Sequence, residues 1–245
     1  MTLPLYLVDP PALDGLGAGD ELTLDGDEGR HAATVRRTRA GERLLVADGA
    51  GRRVRAVVEQ VGAGRLVLRV EDAGTVAPPD PALVLVQALA KGGRDELAVE
   101  TATELGVDAV VPWQAGRSVV VWSGERGERS RRRWEQTVRA AAKQARRPLV
   151  PPVRPTARTR DLAAAAPAAL VVLHEDAADP LAGVPLPAAG ELWLVVGPEG
   201  GIAPEELEEL TAAGAVAARL GPEVLRSSSA GAAALAVLSV RLGRW

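Results

Sequence analysis

Continuous apolar segments alternate with helical segments from residue 82 onward, and this alternation restricts the fold more than any other feature of the chain. The first apolar segment is ALVLVQALA at 82–90, and a helical pattern at 94–106 follows it and ends at Gly106. Strands that are apolar on both faces are typical of parallel sheets covered by helices. The same reasoning predicts strands at 107–111, 118–121, 169–173, 192–196 and 216–220, and helices at 125–147, 204–213 and 228–242. The sequence therefore predicts an α/β domain.

The first 72 residues show a different pattern. Short β-like runs separated by turns occur at 3–8, 21–24, 43–47, 53–61 and 65–70, and one helix is predicted near 28–39. The segment AGTVAPPDP at 73–81 contains three prolines and no periodicity, which is typical of a boundary. We therefore predict two domains, 1–72 and 82–245, joined by a linker at 73–81.

Composition restricts the chemistry of the chain. There is no Cys and there are two His among 245 residues, so disulfides, thiolate nucleophiles and sulfur-ligated metal sites are excluded, and most histidine-built metal sites are disfavoured. The first residues lack a basic segment of the kind that starts a secretory signal, and the longest apolar run, AGAAALAVL, is too short to span a bilayer. We expect a cytoplasmic protein without a metal ion.

Charge is distributed unevenly along a chain whose net charge is −3. Residues 126–160 carry twelve basic side chains and two acidic ones, whereas residues 175–223 carry ten acids and one Arg. On the predicted helix 125–147 the spacing separates an apolar face (Trp134, Val138, Ala141, Ala145) from a basic face (Arg132, Arg139, Lys143, Arg146). A solvated basic face is one interpretation. The scarcity of acids nearby favours the other, a phosphate-rich partner such as RNA.

Two strand–loop–helix segments near the carboxyl end share a Gly-Pro turn. In the first, the strand ending at Val196 runs into GPEGG at 197–201, and Pro204 opens a helix; in the second, RLGPEVLR leads to a helix that Ser227 or Ser228 caps. Neither segment contains the Lys-Ser/Thr of a nucleotide-triphosphate loop or a GxGxxG pattern. One interpretation is a tight turn that needs glycine. The other is a bare backbone that approaches a flat, neutral or cationic ligand.

Several motifs in this order along nearly the whole chain resemble the SPOUT methyltransferases and, more narrowly, the RsmE family, which methylates N3 of a uridine in small-subunit ribosomal RNA. The motifs are His31 with Val35-Arg36, Lys91, Glu104-Leu105-Gly106-Val107, Arg117-Ser118, Arg133-Trp134 with Gln144, Arg147 and Pro151, Leu173-His174-Glu175, GPEGG at 197–201 and LGPEVLR at 220–226. The chain departs from the family at Glu223, where many relatives carry Arg, and at Ser228-Ser229, where they carry Glu-Thr.

The resemblance implies an N-terminal PUA-like β-barrel for RNA and a C-terminal SPOUT domain (an α/β knot) with a deep trefoil knot. It also implies a homodimer that binds S-adenosyl-L-methionine near the subunit interface and methylates 16S rRNA of the small ribosomal subunit, at uridine 1498 in the usual numbering. The implied cofactor residues are Leu173, His174, Val196, Gly197, Pro198, Glu199, Gly200, Gly201, Ile202, Leu220, Gly221, Val224 and Leu225. The predicted RNA-binding residues are His31, Arg36, Lys91 and Arg147 from these motifs and Arg132, Arg139, Lys143 and Arg146 from the basic helix face.

The catalytic interpretation centres on cations. Arg226 is predicted to stabilise the developing uridine anion or to orient its phosphate, together with Arg117 from the partner subunit. No general base is assigned, because Glu199 fits a structural role in its turn equally well and His31 and His174 fit packing or RNA contacts. Two other functions remain open: a SPOUT enzyme that methylates a ribose 2′-oxygen, and an RNA-binding or ribosome-assembly protein without enzymatic activity.

Overall fold

The computed structural model describes residues 3–245, which divide into two compact units. One unit extends to Pro78 and includes Ala142–Val150, and the other comprises Pro79–Ala141 and Pro151–Trp245. The division differs from the predicted domains, because residues 142–150 group with the first unit. The last strand of that unit continues to Thr75, so the first three residues of the predicted linker form part of the sheet.

The first unit contains a five-stranded mixed sheet. Its elements are β1 (Leu5–Leu7), β2 (Glu21–Leu24), α1 (Gly26–Arg30), a π-helical turn (His31–Val35), β3 (Arg43–Ala47), β4 (Arg52–Gly62) and β5 (Arg65–Thr75). The strand order is β1-β3-β4-β5-β2, and only β1 and β3 run parallel. Alternate residues Val54, Ala56 and Val58 of β4 are buried in its core. Within residues 3–245 the outer strands β1 and β2 do not pair with each other, so strand pairing alone does not close the predicted barrel.

The helix predicted at 28–39 is shorter than expected. After α1 the backbone N–H of Arg36 donates to the carbonyl of His31, five residues back, and Arg37 then adopts a left-handed conformation with φ of 53°. A left-handed residue cannot continue a right-handed helix. The chain therefore turns away before the predicted end at residue 39.

The second unit is built on a five-stranded parallel sheet, which confirms the predicted α/β class. Its elements are β6 (Ala82–Ala88), α2 (Arg94–Glu104), β7 (Ala109–Trp113), α3 (Gly124–Gln144), α4 (Thr159–Ala164), β8 (Ala169–Leu173), a 3-10 turn (Leu181–Gly183), β9 (Glu191–Val196), α5 (Pro204–Ala212), β10 (Val216–Ala218) and α6 (Ser227–Arg241). The strand order is β10-β8-β9-β6-β7, with every pair parallel. Residues 142–144, the end of α3, count with the first unit.

Helix α6 packs directly on this sheet because its first turns are made of small residues. A Cβ added at Gly231 would lie 3.0 Å from Cδ1 of Leu85 in β6 and 3.5 Å from Cγ2 of Val196 in β9. A side chain at this position would require the Leu85 side chain to shift by a few tenths of an ångström. The run of small residues after Ser227 therefore sets how closely the helix approaches.

The strand predicted at 118–121 is wrong. Val119 and Val121 are 71% and 61% exposed, and the backbone between them bonds to a side chain instead of a neighbouring strand. The Gln114 side chain donates to the carbonyl of Val120 at 2.9 Å and accepts from the N–H of Trp122 at 3.0 Å. The side chain of Gln114 thus makes the hydrogen bonds to this backbone that a neighbouring strand would make in a sheet.

The chain around residues 145–164 also differs from prediction. Helix α3 ends at Gln144 rather than 147, and Arg146 has a φ of 58°, so Arg146 lies outside the basic helix face on which its spacing placed it. Helix α4 was not predicted. Its start is marked by Asp161, whose carboxylate accepts the backbone N–H of Arg158 at 2.8 Å, a capping contact.

Candidate functional site

The site lies at the carboxyl edge of the parallel sheet. Strands β8, β9 and β10 are neighbours or next neighbours in the sheet and all end at this edge, so the segments that follow them meet there. Together with α2 and α6 they enclose a cavity of about 440 Å³. Its lining residues are Arg94, Leu173, His174, Glu175, Val196, Gly197, Pro198, Glu199, Gly201, Ile202, Ala218, Arg219, Leu220, Gly221, Glu223, Val224, Leu225, Arg226, Ser227 and Ala230.

The structure brings both predicted Gly-Pro loops to this one cavity. Of the thirteen residues predicted for the cofactor, all except Gly200 line it, and the predicted catalytic Arg226 lines it as well. Residues that the sequence prediction missed include Arg94 and Ser227. Arg94 follows β6, and only the parallel order of the sheet, which puts β6 next to β9, indicates that it belongs here.

The first loop depends on two glycines for different reasons. A Cβ at Gly197 would lie 2.8 Å from Cγ1 of the buried Ile202, closer than side-chain carbons pack. Gly201 has a φ of 73°, and its N–H closes the turn on the carbonyl of Pro198 at 2.9 Å. The loop thus exposes bare backbone to the cavity, while Ile202 supplies an apolar wall.

Glu199, at the centre of this loop, forms an ion pair with Arg94, the first residue of α2, with Nη1 and Oε1 at 2.9 Å. Partial burial alone raises the pKa of Glu199. Hydrogen bonds from its own backbone N–H, from Arg94 and from the N–H of Lys91 outweigh that effect and hold the pKa of Glu199 below its ordinary value. The carboxylate is therefore ionised and engaged, which disfavours it as a general base.

Two further contacts fix the surroundings of the loop. Nη1 of Arg117 donates to the carbonyl of Gly200 at 3.1 Å within the same chain. Oε1 of Glu206, in the first turn of α5, accepts the N–H of Gly116 at 2.9 Å and the hydroxyl of Thr159 at 2.6 Å. The predicted partner-subunit role of Arg117 stays a prediction, since this structure shows its guanidinium in an intrachain contact.

Two polar side chains of the cavity have defined hydrogen-bonding states. Nδ1 of His174 accepts the N–H of Asp176 at 3.2 Å, so in the neutral ring the proton is on Nε2 and His174 is a donor on that side. Ser227 is only 8% exposed, and its Oγ is buried without a hydrogen-bond partner among the described residues. A buried hydroxyl without a partner is unfavourable, which indicates that a ligand group completes this part of the site.

The predicted RNA-binding residues do not share one environment. Lys143 is paired with Glu28, with Nζ and Oε2 at 2.6 Å, and lies 3.4 Å from Nδ1 of His31. Arg36, Lys91, Arg132, Arg139 and Arg146 are exposed, and Arg147 is partly buried. As predicted, Trp134, Val138 and Ala141 form the buried face of α3.

Some charges of the basic run have acidic partners that lie far away in the sequence. Arg133 bonds to Glu96 and Arg154 to Glu191, whereas Arg131 bonds to Glu128 and Glu135 of its own helix. Distant acids thus reduce part of the predicted excess of unpaired positive charge. Within residues 3–245 Arg132 and Arg146 form no ion pair, so they keep their full charge for a partner.

Two negative findings apply to residues 3–245. No helix there is long and apolar enough to cross a membrane. No group of three or more His, Asp or Glu side chains is placed so that it could hold a metal ion.

Comparison with known protein families matches both units. Residues 78–239 match the model of an RNA methyltransferase domain, and residues 24–71 match that of an RNA methyltransferase PUA domain. The chain is 52% identical over 251 aligned positions to the ribosomal RNA small subunit methyltransferase E of Mycobacterium bovis, with 100% of this chain and 94% of that protein covered. It is 28% identical to the protein of the same name from Bacillus subtilis, with 89% of each covered.

Solved structures show the same architecture over nearly the whole chain. A ribosomal RNA small subunit methyltransferase E from Neisseria gonorrhoeae, bound to S-adenosyl methionine, superposes with a TM-score of 0.84 and 27% identity over 98% of both chains. A Legionella pneumophila methyltransferase in complex with the same cofactor also superposes with a TM-score of 0.84, at 26% identity and 98% coverage of both chains.

Proposed function

Because the chain belongs to the ribosomal RNA small subunit methyltransferase E family, we propose that it methylates N3 of a uridine in 16S rRNA of the small ribosomal subunit, with S-adenosyl-L-methionine as the methyl donor. The uridine is number 1498 in the usual numbering. The observation that carries the proposal is the cavity at the carboxyl edge of the parallel sheet, where both Gly-Pro loops meet. We propose that the enzyme acts in the cytoplasm, on ribosomal subunits.

The residues around the cavity fit this cofactor. Its volume of about 440 Å³ is within the ordinary size of small-molecule sites. Leu173, Ile202 and Leu220 supply apolar surface for the adenine, and the glycine loops offer backbone N–H and C=O groups to its edge. The Oγ of Ser227, which has no hydrogen-bond partner among residues 3–245, would supply one more polar contact.

When bound, S-adenosylmethionine supplies a methyl group that its sulfonium already activates. The chain must therefore hold the uridine so that N3 points at that carbon, and alignment of this kind accounts for a large part of catalysis. Arg226 lies at the cavity, directly before α6, with an exposed side chain. We assign to its guanidinium the stabilisation of the negative charge that develops on the base as N3 loses its proton.

No side chain of the cavity is assigned as the acceptor of that proton. The carboxylate of Glu199 is engaged by Arg94, and Nδ1 of His174 is engaged by a backbone N–H. We assign water as the acceptor of the proton, and Arg226 makes this step easier because it stabilises the anion that remains. Arg117 from a partner subunit is the second cation proposed for this role, which requires its guanidinium to leave the carbonyl of Gly200.

A trefoil knot and a homodimer are parts of the same proposal. Helix α6 packs against β6 and β9 and also against residues 181–183, which belong to the segment joining β8 to β9. Residue Arg219 forms a bridge with Pro180 of that segment, and Arg241 donates to the carbonyl of Leu181 at 3.1 Å. These contacts are what a chain end threaded beneath the segment would make, and they support the knot.

The RNA is proposed to contact the PUA-like unit and the exposed cations. Arg36, Lys91, Arg132, Arg139 and Arg146 are the exposed members of the predicted set, and exposed cations suit phosphate contacts. His31 and Lys143 are proposed to act through the structure of the first unit, because each contacts the other.

The test is methylation of small ribosomal subunits that lack the modification. The expected product is 3-methyluridine, identified by mass spectrometry of the digested rRNA, with S-adenosylmethionine consumed in equal amount. Purified 16S rRNA serves as the parallel acceptor, which shows whether the assembled subunit is required. A 2′-O-methyl nucleoside as the product, or no binding of S-adenosylmethionine in a calorimetric titration, would refute the proposal.

A further inference from the structure

The proposed reaction gives no role to Arg94, although its side chain lines the cavity. Its guanidinium is held by Glu199 of the GPEGG loop at 2.9 Å, and both side chains are partly buried, with exposed fractions of 41% and 27%. The pair joins the loop that follows β9 to the start of α2, which follows β6. These strands are neighbours in the sheet, so the pair links two segments that the sheet holds at a fixed separation.

The segment that carries Arg94 is itself well anchored. Asp95, buried and adjacent, accepts the N–H of Ala90 at 3.3 Å, and α2 begins directly at Arg94. The backbone N–H of Lys91 also lowers the pKa of Glu199. Arg94 and Lys91 thus both favour the ionised Glu199 carboxylate from one short segment, residues 91–94.

The loop itself has little internal support. Three of its five residues are glycines, which lose the most conformational freedom on ordering. Its internal hydrogen bond joins Gly201 and Pro198, and outside contacts are made by Arg94 to Glu199 and by Arg117 to Gly200. The conformation that exposes its backbone to the cavity therefore depends on side chains from elsewhere in the chain.

We propose that Arg94 is a positioning residue, whose ion pair with Glu199 holds the glycine loop in the conformation that receives the cofactor. The inference rests on the proposed function only in taking S-adenosylmethionine as the ligand. Arg94 acts through Glu199 rather than by direct contact with the cofactor. Without the pair, part of the binding energy is spent on ordering the loop.

The experiment is a double-variant cycle measured by calorimetric titration with S-adenosylmethionine. Arg94→Met and Glu199→Gln should each weaken binding about threefold to fivefold, as expected for a partly exposed ion pair. The variant that carries both changes should bind no more weakly than either alone, because each change removes the same interaction. Arg94→Lys keeps the charge and should recover most of the affinity.

The matched control is Arg131→Gln, which breaks the partly exposed ion pairs of Arg131 with Glu128 and Glu135. Arg131 does not line the cavity, so the cofactor affinity of this variant should equal that of the wild type. At saturating cofactor, kcat of Arg94→Met should stay within about twofold of the wild type while KM for the cofactor rises.

Losses that add in the double variant would show direct contact of Arg94 with the cofactor and overturn the inference. Unchanged affinity in Arg94→Met, or a fall in kcat alone, would overturn it too. Failure of the wild type to bind the cofactor would instead refute the proposed function on which the inference depends.

Discussion

The ammonium of Lys143 lies 2.6 Å from Oε2 of Glu28, and both side chains are more than three-quarters buried. The same ammonium lies over the ring of Tyr6, 5.3 Å from its centroid, and the ring of His31 packs edge-on against Tyr6. Lys143 is therefore a structural cation of the first unit. Its spacing on α3 predicted a phosphate contact, whereas its neighbours in space neutralise it.

Replacing Lys143 should thus affect stability more than RNA binding. Lys143→Met should lower the free energy of unfolding by about 1 kcal/mol, because it leaves Glu28 without its partner. Arg132→Met, which removes an exposed cation without an ion pair among residues 3–245, should leave stability unchanged. It should also reduce the slope of log affinity for RNA against log salt concentration by about one. Urea unfolding and RNA binding at several salt concentrations measure the two effects. An equal loss of salt dependence in both variants would mean that Lys143 exchanges Glu28 for a phosphate.

Arg226→Ala should abolish most methyl transfer while cofactor binding is retained. The guanidinium is proposed to act on charge that exists only in the transition state, so its loss should lower kcat by about a hundredfold or more. Methyl incorporation into small ribosomal subunits gives kcat, and calorimetry gives the affinity for S-adenosylmethionine. Full methyl transfer by Arg226→Ala would refute its catalytic role.

Gly197→Ala should weaken cofactor binding, because the added Cβ would meet Cγ1 of Ile202 at 2.8 Å and displace a wall of the cavity. We expect a loss of about tenfold or more, the usual scale of overpacking. Gly74→Ala is the control, since a Cβ there meets nothing within 4 Å and its backbone is not left-handed. Calorimetric titration of both variants tests this, and equal affinities would show that the Ile202 side chain yields without cost.

Stability should depend on pH through Glu191. Hydrogen bonds from Arg154 lower the pKa of Glu191 from its ordinary value of 4.5, and partial burial opposes this effect. The indole N–H of Trp193 donates to the same carboxylate at 2.7 Å and lowers the pKa further. A carboxyl group whose pKa is depressed by folding stabilises the protein above its unfolded pKa and loses that effect as the pH falls through its folded pKa. The wild type should therefore exceed Glu191→Gln in stability at neutral pH, and the difference should disappear on acidification below 4.5. Urea unfolding of both proteins across this range measures the difference, and a difference that is constant with pH would contradict the assignment.

Elements with a strong local pattern were predicted well from the sequence. The strands β6, β8 and β9 are predicted by their own apolar runs, and α5 is predicted by the glycine, proline and acidic residues around its start. The segment 118–121 also has a strong local pattern, but it is not a strand, because Val119 and Val121 are exposed and the carbonyl of Val120 bonds to the side chain of Gln114. Nothing within four residues shows that contact.

The sequence by itself determined the two kinds of unit, the position of the Gly-Pro loops and most of the residues that surround the cavity. These follow from periodicity and from the backbone freedom of glycine, which act over a few residues. Only the tertiary structure decided that Arg94 reaches Glu199, that Arg117 bonds to Gly200, and that Lys143 is neutralised by Glu28. Sequence separation does not determine which side chains form ion pairs, because the order of strands in the sheet and the packing of helices decide which side chains meet.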